Sequence, residues 1–179
     1  MLFNSFAFAV FLPIVFLLYW KALAKNLKLQ NLFIVIVSYV FYGWWDWRFL
    51  FLIAFTTGCS YFCGLVIKRN LDRGKDNLAR CYSIGNVVVN LAILGVFKYY
   101  NFFVDSLSDL LAAFSIHLDY PTLNIILPVG ISFYTFQALS YTIDVKRRKI
   151  EPTRDVISFF AFVSFFPQLV AGPIERATN

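Results

Sequence analysis

Residues 49–67, FLFLIAFTTGCSYFCGLVI, run without one charged side chain. Wound as a helix rising 1.5 Å per residue, about 18 or more apolar residues suffice to cross a bilayer core of about 30 Å. Similar runs recur at 3–20, 29–45, 81–104 and 125–143, with a shorter one at 156–171. A soluble chain of 179 residues could not hide them all, because 60% of its residues are hydrophobic and only 15% are charged. The expectation is an all-α, polytopic integral membrane helical bundle of about five to six membrane segments, forming one domain in contact with lipid.

The first run does not read as a cleaved signal. No Lys or Arg precedes Phe3, and the apolar run is long for a signal. The cations then fix an expected orientation. Lys21, Lys25 and Lys28 lie in the first loop, Lys68, Arg69, Arg73, Lys75 and Arg80 around the third, and Lys146, Arg147, Arg148, Lys149 and Arg154 in the fifth. The intervening loops hold Arg48 and a stretch, 105–124, with aspartates but no Lys or Arg. By the positive-inside rule the three basic loops are cytoplasmic and the N-terminus is outside. The net charge of +6 is split among short loops, which argues against nucleic-acid binding.

Several residues invite a chemical reading and receive an architectural one. Cys59, Cys63 and Cys81 have no His or acid at ligand spacing, so small packing residues are expected and no metal. Ser60 and Gly64 make a small-xxx-small face for close helix contact. In FYGWWDWRF, Gly43 can end a helix, Trp44, Trp45 and Trp47 suit an interfacial belt, and Asp46 and Arg48 suit an ordinary interfacial turn. Asn86 and Asn90, four apart, place two amides on one helix face toward other helices. Lys98 can snorkel to the headgroups. Leu107, Leu110, Leu111 and Phe114, set against Ser106, Asp109 and Ser115, suggest a separate amphipathic helix on the outer surface. His117, the one histidine, reads as a solvated loop residue.

The fifth run carries more. At about 100° per residue, Gly130, Tyr134, Gln137, Tyr141 and Asp144 share a narrow stripe, which in a membrane must face protein or a water-filled cavity. Pro128 and Gly130 allow that helix an irregular start. In the sixth run Pro167 interrupts after about eleven residues, too few to span, so the backbone should tilt or re-enter where other helices or a cavity satisfy it. Gln168, Gly172, Pro173, Glu175 and Arg176 would then line a polar interior.

These last segments carry a resemblance. LPVGISFYTFQALSYTIDV at 127–145 and FVSFFPQLVAGPIER at 162–176, with MLFNSFAF at the start, FYGWWDWRFL at 41–50 and GVFKYYNFF at 95–103, resemble the membrane-bound O-acyltransferase family across essentially the whole chain. The likeness is greatest to its bacterial branch typified by alginate O-acetylation. One departure is local: that branch usually has an aromatic and a glycine where Lys146 and Arg148 stand.

The resemblance implies a bacterial inner-membrane enzyme taking an acyl group, usually acetyl from acetyl-CoA, to hydroxyls of an extracytoplasmic polysaccharide through a funnel across the membrane. Periplasmic or extracellular partner proteins are implied, and no bound cofactor. Tyr134, Gln137, Tyr141, Asp144, Pro167, Gln168, Gly172, Pro173, Glu175 and Arg176 are the funnel candidates. The family's general base is a histidine in a later membrane helix, so no catalytic residue is carried over, and His117 is not given that role. The expectation is an N-terminal part of a longer acyltransferase, inactive alone. The competing class is a non-enzymatic membrane protein, a small transporter or assembly subunit, with the stripe from Gly130 to Asp144 lining a path; no inverted repeat between the halves supports it.

Overall fold

The described part of each apolar run is largely helical in a computed structural model, which describes residues 5–44, 46–113, 128 and 130–172; no described residue lies in a strand. Local chemistry sets the helix ends. The Ser5 hydroxyl accepts from the Phe8 N–H to start α1 (Phe6–Leu17), which continues through a π-helical turn, Leu18–Ala22. Asn26 accepts from the Lys28 and Leu29 N–H groups to start α2 (Leu27–Gly43). Asp46 accepts from the Arg48 N–H at the head of α3 (Arg48–Asp72), which gives its carboxylate a structural task. Trp44 and Trp47 on this turn are exposed, as an interfacial belt requires.

Helix α3 packs against both α4 (Asp76–Ala113) and α5 (Ile131–Lys146), and α4 against α5. Its buried face, Ile53, Thr56, Thr57, Ser60, Gly64, Ile67 and Leu71, recurs at helical spacing, while Phe51, Phe55 and Phe62 point outward. Because lipid tails are as apolar as leucine, this contact depends on close packing more than on the hydrophobic effect. Gly64 supplies the closeness: a Cβ there would lie 2.7 Å from Cε1 of Tyr141 on α5. The small-xxx-small expectation is thus met at Ser60 and Gly64. Helices α3 and α4 are both long and apolar enough to cross a membrane, and the runs 6–21, 27–43 and 156–169 are shorter apolar helices.

Helix α4 corrects one expectation. Leu107, Leu110 and Leu111 do not begin a separate surface helix; they are the last turns of a single 38-residue helix, about 57 Å long. Residues 97–113 contain neither Gly nor Pro, so nothing stops propagation. Phe114, Ser115 and His117 lie outside the described residues, as does Trp45.

Two helices at one end close in the same way. After α3, the Lys75 N–H donates to the Asn70 carbonyl and that of Gly74 to Leu71, with Gly74 at φ +67°, a Schellman cap. After α5, Lys149 donates to Asp144 and Arg148 to Val145, with Arg148 at φ +59°. Arg148 therefore occupies a left-handed position that ordinarily favours glycine.

The remaining helices form an outer layer. Helix α2 packs on α3, on α6 (Val156–Val163) and on α7 (Phe166–Ala171). Helix α1 meets them through a second apolar cluster of Val15, Val37, Phe41 and Phe166, flanked by Phe8, Phe11 and Phe33. The Phe41 and Phe166 rings stand 5.2 Å apart and Phe11 lies edge-on to Phe166 at 5.7 Å.

Candidate functional site

The site begins with a backbone problem. A helix running unbroken through 156–171 would bond the Phe166 N–H to the Phe162 carbonyl, four residues back. The chain instead breaks at Ser164–Phe165 and restarts with Pro167 in the first turn of α7, where its missing N–H is not needed. The interruption expected from Pro167 is present, two residues earlier than the proline itself. Both halves of the lost bond find partners on other helices. Nε2 of Gln137 on α5 donates to the Phe162 carbonyl at 2.9 Å, and the Phe166 N–H donates to Oγ of Ser38 on α2 at 3.2 Å. Ser38 and Gln137 are each 1% exposed, so water cannot substitute for either.

The α5 stripe faces this break and the rest of the interior. Tyr134, Gln137, Tyr141 and Asp144 are all buried. Gln137 also reaches Oε1 of Gln168 at 3.5 Å, so the two candidate glutamines meet. Tyr141 fills the groove above Gly64 and packs on Phe159 of α6, ring centroids 4.5 Å apart. Gly130 starts α5 at φ +77°, the irregular start expected, and a Cβ there would lie 2.4 Å from the Leu169 carbonyl oxygen of α7. Asp144 sits at the other end of the stripe, its backbone carbonyl inside the cap of α5. Pro167 borders an apolar cleft of about 460 Å³ between α1, α2 and the α6–α7 break. Gly172 ends α7 in extended backbone. Pro173, Glu175 and Arg176 lie outside the described residues.

A second polar cluster joins the three central helices. Nδ2 of Asn86 donates to Thr142 Oγ1 at 2.9 Å and to Ser60 Oγ at 3.2 Å, and Asn90 donates to Asn86 Oδ1 at 3.1 Å. The pair of asparagines therefore does face neighbouring helices, as its spacing indicated. Thr142 and Ser38 were not legible as participants, since isolated Ser and Thr in apolar runs carry no pattern. Cys59, Cys63 and Cys81 are free thiols, and no group of three His, Cys, Asp or Glu capable of holding a metal occurs among the described residues.

The three basic loops gather at one end. Lys68 Nζ lies 2.7 Å from Glu151 Oε1, and Arg148 Nη2 lies 3.4 Å from Asp76 Oδ1, which ties the loop after α5 to the ends of α3 and α4. Asp155, which caps α6, adds the first loop. Its carboxyl is held below the usual carboxylate range, first by the Ser158 hydroxyl and then by the Ser158 and Ile157 N–H groups and the charge of Lys28. Asn31 of α2 donates to the same Ser158 at 2.9 Å.

This arrangement can hold an irregular membrane helix rigidly beside a polar seam with a strongly cationic end; by itself it presents no nucleophile–base pair. Known proteins say more. The chain is 43% identical over 173 residues to a Pseudomonas aeruginosa protein named "Probable alginate O-acetylase AlgI", covering 97% of this chain and 32% of that protein. An Azotobacter vinelandii protein of the same name is 43% identical, with 97% and 33% covered. A Helicobacter pylori peptidoglycan O-acetyltransferase is 34% identical over 202 aligned positions, with 97% and 37% covered. The chain is a relative of these proteins and spans about a third of their length. No family model matches it, and no solved structure does.

Proposed function

We propose that this chain forms one part of a bacterial membrane O-acyltransferase that carries an acyl group, acetyl from acetyl-CoA, to hydroxyls of an extracytoplasmic polysaccharide. The observation that carries this is 43% identity along nearly the whole chain to a protein named as an alginate O-acetylase. The peptidoglycan O-acetyltransferase relative supports the reaction class and leaves alginate and peptidoglycan as the glycans to try first. A hydroxyl attacks the thioester carbonyl, a general base takes its proton, and the thiolate leaves. That base is assigned to the rest of the protein, since the described seam holds no histidine.

The basic end is assigned to the cytoplasm of the inner membrane and the N-terminus to the outside, supported by the convergence of three cationic loops. On this reading the α5 stripe and the α6–α7 break back the funnel wall: Tyr134, Gln137, Tyr141 and Asp144 from one side, Pro167, Gln168 and Gly172 from the other, continued by Pro173, Glu175 and Arg176. Periplasmic or extracellular proteins would receive or present the acceptor. The test is vectorial: the complete protein in proteoliposomes, with labelled acetyl-CoA on the basic-loop face and polymannuronate or peptidoglycan strands on the other. Labelled acetyl ester on the glycan is the expected result. No ester with either glycan, from protein shown to be folded and correctly inserted, would overturn the proposal.

A further inference from the structure

The positive-inside rule explains the sign of the loop charges, but not why they converge into a concavity. Arg80, one helical turn beyond Asp76 on α4, and Lys146, Arg147 and Arg148 at the end of α5 line a cavity of about 380 Å³ with Asp76 and Asn77. Leu71, buried at the end of α3, borders it. Four cations thus share the lining with one carboxylate. That carboxylate is already engaged by Arg148, and Arg80 and Arg147 have no ion-pair partner among the described residues.

Two further features lie at the same place. The first turn of α4 begins at Asp76 and Asn77, so the positive end of its dipole adds to the cations. Arg148 is held in a left-handed conformation, φ +59°, beside Asp76. Like charges gathered this way repel at a cost that a bound anion removes. The helix dipole at the end of α5 favours Lys146 and Arg147 there, yet it does not bring Arg80 across from another helix.

We propose that this cavity is a binding site for a phosphate group. Arg80 and Arg147 supply planar, bidentate donors, Lys146 a point charge, and Asn77 a neutral donor. The cavity lies where α3 ends at Asp72 and α5 ends at Lys146, so with α3 spanning a bilayer it would stand at the level of the lipid headgroups. A phospholipid headgroup or a soluble phosphorylated molecule presents the same chemistry, and the two sources separate experimentally. The site stands independently of acyl transfer, so its test reads binding alone.

The complete protein is placed in phosphatidylcholine nanodiscs and its thermal unfolding midpoint followed against inorganic pyrophosphate, then against increasing phosphatidylglycerol in the disc. A saturable rise with at least one probe is expected, shifted to at least tenfold higher concentration in the double variant Arg80→Gln, Arg147→Gln. The double variant Arg80→Lys, Arg147→Lys should fall between the parent and the Gln variant, because charge is kept but the planar bidentate fork is lost. Arg69→Gln, a cation outside the cavity, should change nothing. A response to phosphatidylglycerol alone names the lipid as the source; a response to pyrophosphate names a soluble phosphorylated ligand. An unchanged response in the Gln variant overturns the site, as does sodium chloride of equal ionic strength reproducing the shift.

Discussion

Replacing Gln137 by Leu keeps most of the side-chain volume and removes its amide, and with it the hydrogen bonds to Phe162 and Gln168. The Phe162 carbonyl would then be stranded at a site where the glutamine is 1% exposed. An unsatisfied buried backbone group costs about 1–3 kcal/mol in soluble proteins, and polar contacts between membrane helices average nearer 0.6, with a maximum of about 1.7. A loss of about 1–2 kcal/mol is expected. The companion variant, Ser38→Ala, strands the Phe166 N–H instead and should cost a similar amount. The double variant is the informative one, because the two stranded groups are the donor and acceptor of one helical hydrogen bond. With both outside partners gone, α6 and α7 can move toward continuity and pair Phe166 N–H with the Phe162 carbonyl. The double loss should therefore fall short of the summed single losses by about 0.5–1 kcal/mol. Reversible unfolding of the complete protein by sodium dodecyl sulfate in mixed micelles gives all four stabilities. Strict additivity, or a Gln137→Leu variant as stable as the parent, would refute the account of the break as one bond shared between two rescuing helices.

Two other perturbations test the packing and the basic end. Gly64→Ala drives a methyl to 2.7 Å from the Tyr141 ring, so α3 and α5 must separate; a loss of about 1–3 kcal/mol is expected, while Gly58→Ala, with nothing near its added methyl, should be neutral or stabilising by the same unfolding assay. Asp155 has a lowered folded-state pKa, so its contribution is present above the ordinary carboxylate value and is lost as pH falls through the lowered one. Melting temperature followed from pH 6 downward should therefore decline in the parent with a component that Asp155→Asn removes.

Local pattern was sufficient for much of this. Apolar runs indicated the helices, and the alternation of cations grouped loops that do lie together. The stripe from Gly130 to Asp144 and the spacing of Asn86 and Asn90 announced inward-facing polar groups, because periodicity on a helix is a geometric fact independent of neighbours. One local rule misled: the amphipathic pattern around Leu107 suggested a new helix, but a pattern of faces does not create an end where no breaking residue stands.

What the sequence by itself determined was which segments are helical, which of their faces are polar and where a helix could not continue. Tertiary structure alone decided how the break is satisfied, since Ser38, Gln137, Phe162 and Phe166 belong to four different helices and their pairing depends on packing at long range. It also decided that Arg80 should share a cavity with residues 146–148, and that Arg148 should sit where backbone sterics favour glycine. The division has one physical cause. Partition into lipid and the rise of a helix are properties of a segment, whereas the partner of a stranded carbonyl or a crowded cation is a property of whichever helix packs beside it.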